Sequence, residues 1–133
     1  MIEQTPIESF LAEKKLALAG ASSKANKFGN MVYKELCNKG YELHITHPVA
    51  SEINGVACSG SLADLSAEVG GLINVVPPAQ TEKLVREAHS AGIMKIWMQQ
   101  GSESPEAIQY CKEHEMEVVH GECILMFSQP RGL

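Results

Sequence analysis

The chain has 133 residues, 44% hydrophobic and 20% charged, a balance that fits a globular protein and excludes disordered or collagen-like chains. Its formal net charge of −5 argues against a general nucleic-acid or anionic-membrane surface, but leaves room for a local basic loop that holds a phosphate. Cys37, Cys58, Cys111 and Cys123 form no C-x-x-C pair and no zinc-like Cys/His spacing, which argues against a metal site and fits reduced thiols in the cytoplasm.

The first residues, MIEQTPIESF, are acidic and lack a long apolar run, so neither a signal nor a transit peptide is expected. Thr5-Pro6-Ile7-Glu8 predicts a helix start, with Thr5 as N-cap, Pro6 at the first position and Glu8 closing a capping box. Ile7, Phe10 and Leu11 share one face, and Lys14-Lys15 suit the last turn. Leu16 to Ala19 reads as the first strand. It stops at Gly20, and a small, polar, basic loop runs to Phe28. Gly29-Asn30 opens a helix carrying Val32, Tyr33, Leu36 and Cys37, with Gly40 as its stop.

Tyr41 to Thr46 predicts a second strand ended by Pro48, and Ile53 to Cys58 a short third one. Ser61 to Asp64 resembles another capping box opening a short helix. Gly71 to Val76 is a buried-type strand closed by Pro77-Pro78. Gln80 to Ala91 is helical, with Leu84, Val85, Ala88 and Ala91 inward. Ile93 to Met98 is a fifth strand. Ser104-Pro105-Glu106 starts a helix with Ala107, Ile108 and Cys111 on one face. Glu117 to Val119 is a last strand, and Cys123 to Phe127 an apolar final turn. Strands alternating with helices imply an α/β fold with a parallel sheet of five to six strands, read as one domain over 1–133.

In such a sheet ligands bind beyond the carboxyl ends of the strands, where strand order reverses. The loop from Gly20 to Asn30 departs from G-x-G-x-x-G. Still, Ala21, Ser22 and Ser23 are small enough for close backbone approach, Lys24 and Lys27 supply charge, Phe28 ends the loop, and Gly29 and Asn30 begin the helix. It reads as a phosphate-binding turn.

After the second strand, where an NAD site commonly carries an acid for the ribose, the chain has His47-Pro48. His47 either hydrogen-bonds a ribose or nearby phosphomonoester, or merely ends a strand. Val76-Pro77-Pro78 offers an apolar wall for an adenine or ligand chain, or a rigid strand stop. Trp97 reads as core; Gln99, Gln100 and Gly101, before a helix, are better contact candidates. Cys123 follows His120 at a spacing that permits a thiolate nucleophile, but with no orienting third group it reads better as a structural or exposed thiol. The other three cysteines read as core or near-core.

These segments resemble a known family, the small stand-alone CoA-binding proteins. The carriers are GASSKANKFGNMVYKELCNKGYELHITHP, the SLADL segment, INVVPP, AGIMKIWMQQGSESPEAI and VVHGECILM. Such proteins are similar to the N-terminal CoA-binding domain of the succinyl-CoA synthetase alpha subunit, reduced to one Rossmann-like three-layer domain. The resemblance implies that coenzyme A or an acyl-CoA lies across the sheet's carboxyl edge. Its phosphates would meet the Gly20–Asn30 loop, and its nucleotide would lie between His47-Pro48 and Val76-Pro77-Pro78. The family usually has Asn where this chain has His47. The larger synthetase keeps its phosphorylatable histidine in a second domain, so that activity does not carry over. The expectation is a cytoplasmic binding module for a small nucleotide ligand, monomeric or a small homo-oligomer, without membrane or nucleic-acid partners. The rivals are a redox or acyl-transfer enzyme using Cys123, and an NAD(P)-binding regulator.

Overall fold

The computed structural model describes residues 5–23 and 27–130. Helix α1, Pro6–Leu11, begins with the expected reciprocal cap: Glu8 N donates to Thr5 Oγ1 at 3.1 Å and Thr5 N to Glu8 Oε1 at 3.0 Å. These bonds hold the Glu8 carboxyl below the usual carboxylate range. The helix ends earlier than expected, so Lys14 and Lys15 do not occupy its last turn. Lys15 instead opens strand β1, Lys15–Ala19, paired in register with Glu42 of the neighbouring strand.

Helix α2, Phe28–Asn38, follows the loop and ends in a Schellman turn, in which Tyr41 N donates to Leu36 O and Gly40 N to Cys37 O. Gly40, at φ 96°, supplies the left-handed residue this turn needs. Strand β2 is Glu42–Thr46. The expected single third strand is a hairpin, β3 (Glu52–Ile53) and β4 (Val56–Ser59), turning at Asn54 and Gly55, both with positive φ (51° and 84°). That is the Asn-Gly geometry that matches the twist of paired strands. The sheet therefore has seven strands: the six parallel ones that the expected five to six allow, and β3 added antiparallel at one edge.

A single 3₁₀ turn, Leu62–Leu65, follows; Ser61 caps it by accepting from Ala63 N. The remaining elements are β5 (Gly71–Asn74), α3 (Pro78–Ala91), β6 (Lys95–Met98), α4 (Pro105–Glu113), β7 (Glu117–Val119) and α5 (Ile124–Phe127). Strand order is β3-β4-β2-β1-β5-β6-β7, parallel except for β3 against β4. The chain first winds outward from β1 through β2, then returns to β1's other side with β5. The β1/β5 boundary is thus the point where strand order reverses.

Alternation along the strands divides the core into two layers. Leu16, Leu18, Ile45, Ile73 and Trp97 face α1, α2 and α5, where Phe10, Val32, Leu36 and Ile124 pack. Ala17, Ala19, Leu72, Ile96 and Met98 face α3, α4 and the 3₁₀ turn, against Leu62, Val85, Ala88 and Cys111. Trp97 is core, as expected: it is fully buried, edge-on to Phe10 at 5.4 Å, with Nε1 donating to Glu122 O. Cys37, by contrast, is exposed on α2, and Cys58 is half-buried. Among the described residues, no helix is long and apolar enough to cross a membrane.

Candidate functional site

A cleft of about 700 Å³ opens at the carboxyl ends of β1, β2 and β5, at the reversal point. Its floor is the β1 exit, Ala19 to Ser22, with Lys27 from the start of α2. One wall comes from the ends of β2 and β4, with Thr46, His47, Pro48 and Gly60. The other comes from Val75, Val76 and Pro77 after β5. Eight of the residues expected from the sequence therefore meet around one cavity: Gly20, Ala21, Ser22, Lys27, His47, Pro48, Val76 and Pro77.

The two glycines of the loop have separate structural reasons. Gly20 has φ +124°, and a Cβ there would overlap the Val75 carbonyl of the neighbouring strand exit. A Cβ on Gly29 would overlap the Gly20 carbonyl, so Gly29 lets the first turn of α2 rest on the β1 exit. This is the close helix–strand approach that a later glycine serves in dinucleotide folds. Asn30 then clasps the loop: its Oδ1 accepts from Ser22 N and its Nδ2 donates to Ser22 O. Lys27 is the N-cap of α2 without a side-chain cap bond, and the first turn holds no acidic residue. The positive end of the helix is thus left for an anion.

The remaining expected residues are placed elsewhere. Ser23 and Phe28 are exposed and are not among the lining residues, and Lys24 lies outside the described residues. Pro78 is the first residue of α3 behind Pro77, its N-cap. Gln100 and Gly101 belong to the β6–α4 loop, with Gln100 Nε2 donating to Gly121 O and Gly101 N to Glu103 Oε1. Gln99 is buried, and both ends of its amide are engaged. Its Oε1 accepts from Ile124 N at 2.7 Å and its Nε2 donates to Cys123 Sγ at 3.4 Å. It caps α5 and is not free to contact a ligand. Cys123 is not among the cleft-lining residues, and His120 is exposed.

Sequence reasoning missed one wall. Gln80, Lys83, Leu84 and Glu87 of α3 line the cleft. Their spacing of three, four and seven residues forms a stripe beside the buried Thr81-Val85-Ala88 stripe. Lys83 adds a second cation to Lys27. Glu87 is tied back, its Oε2 accepting from Leu62 N at 2.7 Å. At the opposite end of β2, Glu42 and His44 meet Glu68 with ligand atoms within 4.8 Å of one another, a grouping that linear spacing did not reveal. The hydrogen bond from His44 lowers the Glu42 pKa. Burial raises the thiol pKa of Cys37 and Cys58, and pushes that of Cys111 up to about 11.

A doubly wound α/β sheet with a small-residue loop, an uncapped helix start and a cleft at the strand reversal defines a protein of the Rossmann-like class. More narrowly, the chain belongs to the CoA binding domain family, whose model matches residues 14–129. It is 29% identical over 112 residues to the uncharacterized protein YneT of Bacillus subtilis, covering 84% of this chain and 82% of that one. A conserved hypothetical protein from Pyrococcus furiosus superposes with a TM-score of 0.82 at 36% identity, covering 86% of this chain and 99% of that chain. A dinucleotide-forming acetyl-coenzyme A synthetase of Ca. Korarchaeum cryptofilum shares the fold at a TM-score of 0.65 and 20% identity. There the match covers 80% of this chain and 25% of that one.

Proposed function

We propose that this protein binds coenzyme A or an acyl-CoA in the cleft between β1, β2 and β5, as a binding module without catalysis of its own. One observation carries the reading: in a chain of the CoA binding domain family, Gly20, Ala21, Ser22 and Lys27 line a single cleft with His47 and Val76-Pro77. The pyrophosphate would lie over the β1 exit at the start of α2, where backbone amides and Lys27 offer positive charge. The nucleotide would lie between His47-Pro48 and Val76-Pro77. His47, where a carboxylate would hold an NAD ribose, ranks CoA above NAD.

The test is a ligand-induced thermal shift with CoA, acetyl-CoA, NAD and NADP side by side. A ligand at 100 times its dissociation constant adds about 2.7 kcal/mol of stability, so CoA raises the melting temperature clearly and NAD much less. No shift with millimolar CoA beside a clear shift with NAD overturns the proposal.

A further inference from the structure

His47 follows β2 directly, and its backbone is pinned by a bond from its N to Ser59 O at 2.9 Å. Its ring is pinned as well. Nδ1 accepts from Val49 N at 3.1 Å and from Ala50 N at 2.9 Å. Those amides, two and three residues on, are the ones that an Asn side-chain oxygen captures when it caps a turn. The imidazole therefore does the local work of an asparagine while extending further from the backbone. Because Nδ1 is the acceptor, the neutral ring carries its proton on Nε2. Nε2–H has no partner among the described residues, and His47 lines the cleft.

Resting on the CoA reading above, we infer that His47 is a fixed-tautomer donor that reads the phosphomonoester on the ligand's ribose and distinguishes CoA from dephospho-CoA. The place is right, since the end of the second strand is where dinucleotide folds read the ribose and its substituents. The chemistry fits too. A carboxylate here would accept from ribose hydroxyls and repel a phosphate. A lone N–H donor makes its strongest bond to an anionic oxygen. Lys83, on the same cleft, supplies charge toward a dianion, while the Glu87 carboxylate is held by Leu62 N.

Calorimetric titration of CoA and dephospho-CoA into wild type, His47→Asn and His47→Asp is the test. His47→Asn keeps an acceptor for the Val49 and Ala50 amides and deletes only the Nε2–H donor. Wild type is expected to bind CoA roughly tenfold more tightly than dephospho-CoA. In His47→Asn the CoA affinity falls to about the dephospho-CoA value, which itself moves by no more than about twofold. His47→Asp, also able to cap the turn, weakens CoA further by repulsion while sparing dephospho-CoA. Equal binding of both ligands by wild type overturns the inference and leaves the CoA reading standing. So does a ratio unchanged in the folded variants, or an equal loss for both ligands. Failure of wild type to bind either ligand overturns the CoA reading itself.

Discussion

Asn30, the third residue of α2, holds Ser22 by both backbone groups: Oδ1 accepts from Ser22 N at 2.9 Å and Nδ2 donates to Ser22 O at 2.7 Å. The amide imitates a strand partner at the point where β1 has run out of neighbours. It closes the loop across eight residues and shapes the cleft floor on which Ser22 lies. The Ser22 N–H is already committed, so in the proposed site the anion contacts would fall to other groups at the β1 exit and to the start of α2.

Asn30→Ala should therefore cost both stability and affinity. It leaves a part-buried amide and carbonyl without this partner, a loss of about 1–3 kcal/mol, and CoA affinity should drop roughly tenfold as the loop loosens. Asn30→Asp keeps the acceptor for Ser22 N, but turns an oxygen toward Ser22 O and puts a negative charge beside the phosphates. It should bind CoA more weakly than Asn30→Ala. Urea denaturation and calorimetry on the same preparations check both, and an Asp variant that binds better than the Ala variant would refute the placement of the phosphates here.

Gly29→Ala should destabilise by about 1–3 kcal/mol, because its methyl would overlap the Gly20 carbonyl and push α2 off the sheet. Gly101→Ala is the control. Gly101 has φ +94° but open space around a Cβ, so only backbone strain of about 1–2 kcal/mol applies, and CoA affinity should be unchanged. Urea midpoints separate the two mechanisms, since Gly29→Ala should also weaken CoA. Gly20→Val is uninformative about ligand contact, because its side chain would strike the Val75 backbone before any ligand arrived.

The cleft was legible in the sequence wherever function and chain continuity coincide. The β1 exit, His47-Pro48 and Val76-Pro77 each follow an apolar strand directly, so strand ends alone locate them. What escaped depends on contacts between elements. In the α3 stripe, Gln80, Lys83 and Glu87 read as solvated surface and Leu84 as core, until the β2 and β4 ends are placed opposite them. Gln99 looked available because nothing local showed that α5 would return to use both ends of its amide. The β3–β4 hairpin was different: Asn54-Gly55 announces such a turn, but two strands of two and four residues were too short to show alternation.

Lys83 provides the test of that missed wall. It is exposed on α3 and lines the cleft, so Lys83→Met should leave the unliganded melting temperature nearly unchanged. CoA affinity should fall several-fold, and the fall should shrink as salt rises, because an exposed cation acts over a screened distance. Titrations at low and at roughly physiological ionic strength measure this. An affinity loss independent of salt would mean that the Lys83 ammonium bonds the ligand directly at short, poorly screened range.

Cys111 gives a pH-dependent prediction. It is fully buried between α4 and the sheet, and burial raises its thiol pKa to about 11 from an ordinary 9.0. Well below pH 9.0 the thiol is protonated in both folded and unfolded chains and adds no pH dependence. Above it the unfolded chain loses the proton first. The folded state then binds more protons, and stability falls as pH rises toward about 11. The loss attributable to this group reaches about 2–3 kcal/mol at the top of the window. Cys111→Ala should be less stable at neutral pH from the lost volume, yet show a shallower alkaline decline. Parallel alkaline limbs in urea melts of the two proteins would refute this assignment.

Cys123 separates a binding module from an enzyme. The thiol is half-buried at the N-cap of α5, and its Sγ accepts from Gln99 Nε2, whose other end holds Ile124 N. The sulfur is therefore part of how β6 anchors α5. Serine preserves an acceptor of similar reach, so Cys123→Ser should fold normally and keep CoA affinity within about twofold, since the phosphates and adenine are expected to supply most of the binding. A nucleophilic role would demand more: a group that withdraws the proton, another that orients it, and a place beside the ligand's thiol end. Gln99, a neutral amide, cannot withdraw the proton, and Cys123 is not among the cleft-lining residues. Wild type should accordingly release no thiol from acetyl-CoA above the Cys123→Ser background over several hours. Release that depends on Cys123, or a mixed disulfide with CoA at Cys123 seen by intact mass, would make this chain a thiol enzyme.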